Sequence, residues 1–218
     1  MARVAVILSG SGVYDGSEIH ESVLTILALD RAGAKISYFA PDVEQMHVVN
    51  HLTGEPAGGE SRNVLVESAR IARGEIKDLA KADASDFDAA ILPGGFGAAK
   101  NLCDFAENGA ECSINPDLLK FAKAMVHQGK PMGFVCIAPA MIPLIYDHHP
   151  SLTIGNDADT AQAIEAMGGN HVNCPVEEIV IDREKKLVTT PAYMLAGRIT
   201  EAAAGIDKLV TEVLKLTK

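Results

Sequence analysis

Short apolar runs alternate along the chain with segments in which apolar residues repeat at helical spacing. The run RVAVILS at 3–9 is closed by glycine and serine and predicts a strand buried on both faces. The following segment predicts a helix that ends at Gly33, because its residues recur at helical spacing, namely Ile19, Val23, Ile26, Leu27 and Asp30. KISYFAP at 35–41 predicts a second strand, so the chain opens with a βαβ unit of right-handed crossover.

The same alternation continues to the end of the chain. DAAILPGG and PMGFVC predict further strands, and PDLLKFAKAMVHQG, DADTAQAIEAMGG and GRITEAAAGIDKLVTEVLKL predict helices. APAMIPLIYD is a weaker helix candidate because Pro143 lies within it, and EEIVIDREKKLVTTP predicts a hairpin. The pattern is typical of a doubly wound α/β sandwich on a mostly parallel sheet, and we predict one domain over residues 1–218. The polar segments 42–63 and 101–115 are predicted loops over the carboxyl edge of the sheet.

Composition narrows the possible partners and compartments. The chain is 48% hydrophobic and carries a formal net charge of −10 with no basic cluster, which argues against nucleic acid or an anionic membrane as partner. The apolar run Val4 to Leu8 is too short for a signal peptide core or a membrane span. Four cysteines without Cys-x-x-Cys spacing indicate reduced thiols, so we expect a soluble, cytoplasmic protein.

Unusual residues follow three of the predicted strands, where sites form in open parallel sheets. These are Ser9 to Gly12, Pro93 to Gly95, and Cys136. A strand that turns sharply into a helix at Cys136 would expose the thiol, and the helix amides would lower its pKa. The alternative is a buried, inert cysteine, and the local pattern alone leaves the two interpretations at even odds.

Glycines and a carboxylate supply possible partners for this thiol. Gly94 and Gly95 can turn backbone amides toward a ligand, and one of them together with the amide of Ile137 would form an oxyanion hole; alone, the glycines are more often an ordinary turn. Glu21, near the start of the first helix, would have a raised pKa in a dry pocket and could exchange a proton with the thiol. Glu18 is the better candidate for a carboxylate that interacts with the helix dipole.

The remaining chemistry-bearing residues carry no clear pattern. The histidines, which we expect to be structural or on the surface, include His47, His51, His148, His149 and His171. None has a placed carboxylate or cysteine at ligand spacing, so no metal site and no cofactor are predicted. Cys103, Cys112 and Cys174 are expected to do no chemistry unless they are exposed to oxidants.

Several segments together resemble a known superfamily. HESVLTILALDRAGA, DAAILPGGFGAAKNL and GFVCIAPA are similar to PfpI-type proteases, deglycase-like proteins and class I glutamine amidotransferase-like domains. NHLTGE, CPVEEIVID and TTPAYM, with the opening segment ILSGSGVYDGSEIHE, resemble the ElbB family of bacterial glyoxalase-like proteins, once linked to isoprenoid biosynthesis. The resemblance covers nearly the whole chain and implies a flavodoxin-like three-layer α/β/α sandwich.

The resemblance also implies a site. Cys136 is the implied nucleophile, Glu21 its carboxyl partner, and Gly95 and Ile137 the oxyanion amides. Glu21 is preferred to Glu18 because it lies 12 residues before Gly33, the spacing typical of the superfamily. PfpI-type proteases and amidotransferases carry a histidine directly after the cysteine or late in the chain, and this chain has Ile137 at the first position and no His-Pro-Glu at the second.

The implied activity is that of a cofactor-free glyoxalase III, which converts glyoxal or methylglyoxal to the hydroxy acid in a small pocket. The resemblance also implies a homodimer. Without the histidine, proteolysis and glutamine hydrolysis are less expected. Two alternatives stay open: a redox-sensing, chaperone-like or regulatory protein that uses the same cysteine, and an amidase-like subunit that requires a partner.

Overall fold

The computed structural model describes residues 1–218 and contains one large sheet with helices on both faces. The strands are β1 (Arg3–Ile7), β2 (Lys35–Ala40), β3 (Val49–Asn50), β4 (Glu55–Pro56), β5 (Ile76–Asp78), β6 (Ala89–Leu92), β7 (Met132–Val135), β8 (Ser151–Leu152), β9 (Asn170–His171), β10 (Val180–Asp182) and β11 (Leu187–Thr190). The helices are α1 (Ile19–Arg31), α2 (Val64–Ile71), α3 (Phe96–Lys100), α4 (Phe105–Asn108), α5 (Pro116–His127), α6 (Ile142–Ile145), α7 (Ala158–Ala166) and α8 (Ile199–Leu216).

The large sheet has seven strands in the order β10-β11-β7-β6-β1-β2-β5. All neighbours are parallel except β10 and β11, which form the predicted hairpin. β1 lies at the centre, where Val4 pairs with Ile36 on one side and Ala89 on the other. The chain reverses its strand order on either side of β1, so the edge beyond β1, β6 and β7 is the crevice in which such sheets bind ligands.

Two apolar cores cover the two faces of this sheet. In β1, Ala5 and Ile7 belong to one core, whereas Val4, Val6 and Leu8 belong to the other. This alternation follows from the two-residue period of a strand and explains why the run 3–9 is apolar throughout. The predicted flavodoxin-like α/β/α sandwich with a small antiparallel hairpin is confirmed.

The buried face of α1 differs from the one that its apolar residues predicted. Ile19, Val23 and Leu27 are 45%, 50% and 39% exposed. The face that packs inward carries smaller and polar residues, namely Glu21, Ser22, Thr25, Ala28 and Leu29. Because α1 packs closely along α8, small side chains suit the contact, and the larger apolar ones are left outside.

Three further segments differ from the sequence-based prediction. The pair α2 and β5 was not predicted, and β5 forms one edge of the sheet. The segment 42–63 holds only the short β3–β4 ladder, while 101–115 includes α4 and a 3-10 turn at Gly109–Glu111. The candidate helix after Cys136 is a 3-10 turn at Ala138–Met141 followed by the four-residue α6, which has Pro143 in its first turn. None of the helices combines the length and the apolar character needed to cross a membrane.

Candidate active site at the carboxyl edge of the sheet

Cys136 lies in a sharp turn directly after β7. Its φ angle is 62°, in the left-handed region that a residue with a Cβ rarely adopts. The backbone is held there because the amide of Cys136 donates to the carbonyl of Thr190 at the end of β11, over 3.0 Å. Such strained positions are typical of functional sites, and this one directs a thiol that is only 7% exposed toward a pocket.

Glu21 is fully buried beside this thiol. Its Oε2 accepts a hydrogen bond from the amide of Gly94 over 2.9 Å, and its Oε1 accepts one from the amide of Tyr193 over 3.1 Å. Its side chain also interacts with the Cys136 thiol. Burial raises the pKa of Glu21 to about 8, as predicted for a carboxyl group in a dry pocket.

Glu18 has the capping function that the sequence assigned to it. Its Oε2 accepts a hydrogen bond from the amide of Glu21 over 2.7 Å, at the N-terminus of α1. Its own amide donates to the carbonyl of Gly94 over 2.9 Å. Glu18 therefore fixes the start of the helix, and this placement brings Glu21 to the thiol.

The glycines that follow β6 allow this close approach. A Cβ on Gly94 would overlap both the Cβ of Cys136 and the Oε2 of Glu21. Gly95 has a φ of 92°, and a Cβ there would overlap the amide of Glu18. Side chains at either position would therefore separate β6 from the thiol and its carboxyl partner.

Backbone amides converge on the sulfur of Cys136. Those of Gly95 and Ile137 both act to lower the pKa of the thiol, and neither donates to a backbone carbonyl. The amide of Gly94, in contrast, is engaged by Glu21. Gly94 therefore positions the carboxyl group, and the two amides that remain beside the sulfur are those of Gly95 and Ile137.

The acidity of Cys136 differs from the prediction. The sequence predicted a lowered pKa, whereas burial and the nearby Glu21 carboxyl raise the pKa of the thiol well above its ordinary value. The two amides oppose this effect only in part. The 3-10 turn and short α6 after Cys136 cannot supply the dipole of a full helix. The thiol and the carboxyl group thus both hold their protons in this pocket at neutral pH.

The pocket in front of Cys136 has a volume of about 560 Å³ and is mainly apolar. Its carboxylates are Glu18 and Asp157, and it contains no lysine or arginine. Its lining residues are Val13, Glu18, Gly95, Phe96, Ala99, Phe105, Ala106, Cys136, Ile137, Asp157, Thr160, Tyr193 and Met194. The site therefore favours a neutral or cationic compound over an anionic one.

Several of these wall residues were not identified from the sequence. Tyr193 and Met194 lie in TTPAYM, and Phe105 lies in the segment 101–115, which was predicted only to be a loop at this edge. Asp157 also lines the pocket, while its Oδ1 caps α7 by accepting from the amide of Thr160 over 2.9 Å. The neighbouring Asn156 is exposed and does not line the pocket.

Backbone hydrogen bonds join the loop after β1 to the start of α3. The carbonyl of Gly16 accepts from the amide of Gly97 over 2.8 Å, and that of Val13 accepts from Phe96 over 2.8 Å. Ser9 is buried, and its amide donates to the hydroxyl of Ser17 over 2.8 Å. The three strand ends singled out in the sequence therefore meet at one place.

No histidine lines the pocket. The nearest connection is indirect, since the Nδ1 of His20 lies 2.8 Å from the hydroxyl of Tyr193. His51 receives the amide hydrogen of Tyr14 at Nε2 and lies 3.8 Å from Asp15, so it supports the loop after β1. The structure contains no group of three or more histidine, cysteine or carboxylate side chains that could hold a metal ion.

Comparison with known proteins agrees with this architecture. The chain is 48% identical over 225 residues to the human protein named glutamine amidotransferase-like class 1 domain-containing protein 3, covering 99% of the chain and 84% of that relative. It is 46% identical to the rat ES1 protein homolog over the same shares, and 33% identical to the zebrafish ES1 protein, covering 99% of the chain and 86% of that relative. The chain belongs to the ES1 family of glutamine amidotransferase-like class 1 domain proteins. No protein-family model matches it.

Solved structures agree with the fold of this ES1-family chain. An isoprenoid biosynthesis protein with an amidotransferase-like domain from Ehrlichia chaffeensis superposes with a TM-score of 0.93 at 37% identity, covering 100% of both chains. Glyoxalase III from Candida albicans superposes with a TM-score of 0.63 at 15% identity, covering 99% of this chain and 97% of that one. At this identity the second likeness concerns the fold alone.

One expectation is corrected by the relatives. The sequence predicted a cytoplasmic protein, whereas the human, rat and zebrafish relatives are all named as mitochondrial proteins. The prediction depended on an apolar run too short for a signal peptide core or a membrane span and on cysteines expected to be reduced. These two features concern secretion, membrane insertion and redox state, and they do not distinguish the cytoplasm from mitochondria.

Proposed function

We propose that this protein is a cofactor-independent glyoxalase III-type enzyme, which converts glyoxal or methylglyoxal to the corresponding hydroxy acid. The observation that carries the proposal is the thiol of Cys136 at the end of an apolar pocket, with the carboxyl group of Glu21 and the amides of Gly95 and Ile137 around it. A nucleophile, a proton carrier and two amide donors are the groups that the addition of a thiol to an aldehyde requires.

The proposed reaction begins when the sulfur of Cys136 adds to the aldehyde carbon and forms a hemithioacetal. The amides of Gly95 and Ile137 stabilise the negative charge that develops on the aldehyde oxygen. Glu21 takes the thiol proton during the attack, passes it to this oxygen and becomes a carboxylate again. It then accepts the proton of the former aldehyde carbon and returns it to the adjacent carbon, while the hydroxyl proton on the first carbon moves to the oxygen of the second, which produces a thioester of the hydroxy acid. Water cleaves the thioester, releases glycolate or lactate, and restores the thiol.

The pKa values of Glu21 and Cys136 indicate which group loses its proton first. Because burial keeps both the carboxyl and the thiol protonated near neutral pH, the pair carries one proton more than the addition step needs. Glu21 ionises first, with its pKa of about 8, and can then accept the thiol proton during attack. We therefore expect kcat/KM to rise with pH up to about 8 and to level off above it.

Steady-state kinetics with glyoxal, methylglyoxal and glutamine test the proposal. Cys136→Ala is expected to lower kcat/KM for both dicarbonyls by at least about 10³-fold, and Glu21→Gln to lower it and remove the pH dependence. Cys174→Ala is the matched control, because Cys174 is a buried cysteine that does not line the pocket. Full turnover by Cys136→Ala would refute the mechanism, and glutamine hydrolysis by the wild type would favour an amidase.

The same experiment separates the enzyme from a regulatory protein. Negligible turnover together with selective oxidation of Cys136 by dilute peroxide would favour a redox-sensing role. The raised pKa of this thiol argues against that outcome, since the thiolate is the form that peroxide oxidises. An ElbB-type assignment within the superfamily is supported by the Ehrlichia protein named for isoprenoid biosynthesis.

Tyr193 is a second group that can move a proton in this pocket. Tyr193 is one of the residues that line the cavity, and its hydroxyl lies 2.8 Å from the Nδ1 of His20, which is exposed. A hydroxyl backed by an imidazole can protonate the substrate oxygen next to the reacting aldehyde. The pair thus provides a proton path although no histidine reaches the thiol.

Tyr193→Phe is expected to reduce kcat for methylglyoxal by about 10²-fold, the usual contribution of a placed general acid. His20→Ala should reduce it less and alter the pH profile, because the tyrosine hydroxyl remains. Tyr146→Phe, which removes a hydroxyl outside the pocket, serves as the control. Unchanged kcat in Tyr193→Phe would show that this hydroxyl takes no part.

A further inference from the structure

The segment 101–115 holds two cysteines that are not part of the site described above. Both Cys103 and Cys112 are buried free thiols, with 5% and 8% of their surface exposed. Between them lies α4, whose Phe105 and Ala106 line the pocket of Cys136. The two cysteines therefore lie at either end of one wall of the candidate active site.

An antiparallel ladder brings the two ends of this segment together. Cys103 forms a bridge with Ile114. On either side, the amide of Asn115 donates to the carbonyl of Leu102 over 2.8 Å, and that of Asp104 donates to Ser113 over 3.2 Å. Cys112 is two residues before Ile114, so it lies on the same face of the ladder as Cys103.

Side chains also hold the ladder. The Asp104 carboxylate accepts from the amide of Ser113 over 2.6 Å and from its hydroxyl over 3.0 Å. The 3-10 turn at Gly109–Glu111 bends the chain directly before Cys112 and closes the loop. The ladder brings Cys112 beside Cys103 on this closed loop, and the nearness of the two thiols shifts their pKa values in opposite directions.

The interaction makes the two thiols unequal. It lowers the pKa of Cys112, whereas the same interaction and burial raise the pKa of Cys103, whose Sγ also donates to the carbonyl of Ala98 over 3.3 Å. A more acidic thiol next to a protonated one is the arrangement of an attacking and a resolving cysteine. Cys103 also lines a shallow surface depression with Asp104 and Ser113, while Cys112 keeps 8% of its surface exposed to solvent.

We propose that Cys103 and Cys112 are a redox-active pair that forms an intramolecular disulfide when the protein meets a hydroperoxide. The sulfur of Cys112 attacks the peroxide oxygen, the O–O bond breaks, and a sulfenic acid and an alcohol or water form. The sulfur of Cys103 then attacks the sulfenic sulfur, and the hydroxyl leaves as water with the proton of Cys103. Two thiols lose two electrons in total, and the peroxide gains them.

A disulfide between Cys103 and Cys112 would constrain the segment between them, which includes α4 and the pocket residue Phe105. In a regular ladder, diagonal neighbours lie roughly 7–8 Å apart between Cα atoms, just beyond the separation that a disulfide spans without backbone movement. The turn at Gly109–Glu111 is the place where the backbone can adjust. A disulfide that requires such an adjustment is readily reduced by a dithiol, so we expect the pair to be reversible.

Protease mapping of the full chain tests the proposal. Cleavage after Glu107 and Glu111 separates the two cysteines, so their fragments stay joined only through a disulfide. After treatment with dilute hydrogen peroxide, the joined fragment is expected with a mass lower by two hydrogen atoms, and it should disappear on addition of a dithiol. Because the wild-type protein suffices for this measurement, it does not depend on a variant that folds.

Variants decide whether the linkage is specific. In a Cys136→Ser background, which removes the thiol of the candidate active site, Cys112→Ser and Cys103→Ser should abolish the joined fragment, and Cys174→Ser should leave it unchanged. Separate oxidation of Cys103 and Cys112 without linkage would overturn the proposal, as would a disulfide between either of them and Cys174. The glyoxalase proposal is independent of this result, because neither thiol lines the pocket.

Discussion

At the scale of single residues, the candidate site depends on groups held in unfavourable states. Cys136 has a left-handed backbone, and strain of this type contributes about 1–3 kcal/mol against folding. Glu21 is a carboxyl group without a cationic partner in a fully buried position. Neither arrangement improves stability, so both are better explained by the chemistry of the pocket.

The Glu21 carboxyl group should make stability depend on pH. Its pKa is about 8 in the folded chain and near 4.5 when exposed, so between these values the folded state holds a proton that the unfolded state has lost. The free energy of unfolding contributed by this group therefore decreases as pH rises through that window, by up to about 1.4 kcal/mol per pH unit.

Denaturant titrations of the wild type and Glu21→Gln at several pH values measure this effect. The variant is expected to be relatively more stable at about pH 8 than at about pH 5, because its unfolded state gains no stability by losing a proton at position 21. Gln retains an acceptor for the amide of Gly94, which makes it a close match in shape. Parallel pH profiles for the two proteins would contradict the raised pKa.

At the scale of elements, α1 shows how packing overrides an apolar pattern. Its largest apolar residues form an exposed stripe of Ile19, Val23 and Leu27, while Leu29 is fully buried. The long helix α8 packs along the other face of α1. The homodimer implied by the resemblance stays a prediction, and the exposed stripe is the surface of α1 that a partner would meet.

Two leucines of α1 provide a matched test of this orientation. Leu29→Ala is expected to lower the free energy of unfolding by about 2–5 kcal/mol, because it leaves a cavity in the core beside α8. Leu27→Ala removes the same atoms from a side chain that is 39% exposed and should change it by about 0.5 kcal/mol or less. Equal losses in urea titrations of the two variants would show that the helix is turned the other way.

At the scale of the whole molecule, the sheet places its chemistry at one edge. β1, β6 and β7 are central neighbours and all run in the same direction, so the residues that follow them meet. The net charge of −10 and a pocket without cationic side chains agree in favouring uncharged or cationic ligands. The absence of a nucleic-acid or membrane partner stays a prediction from composition.

The sequence by itself determined the α/β layers, because continuous apolar runs can only be strands buried on both faces and capped, periodic segments can only be helices between them. It also predicted that Cys136, Glu21, Gly95 and Ile137 lie close together, since they follow strands or begin helices that the fold places at one edge of the sheet. The resemblance to a known superfamily identified Glu21, rather than Glu18, as the carboxyl partner.

Only the tertiary structure decided which face of α1 is buried, that the pKa of Cys136 is raised rather than lowered, and that Tyr193 and Phe105 form walls of the pocket. These properties depend on what lies across the sheet edge from each side chain. The burial of a side chain and the charges near it depend on contacts between residues that are distant along the chain. The nearness of Cys103 and Cys112 depends on a turn between them. Local sequence patterns do not encode either kind of contact.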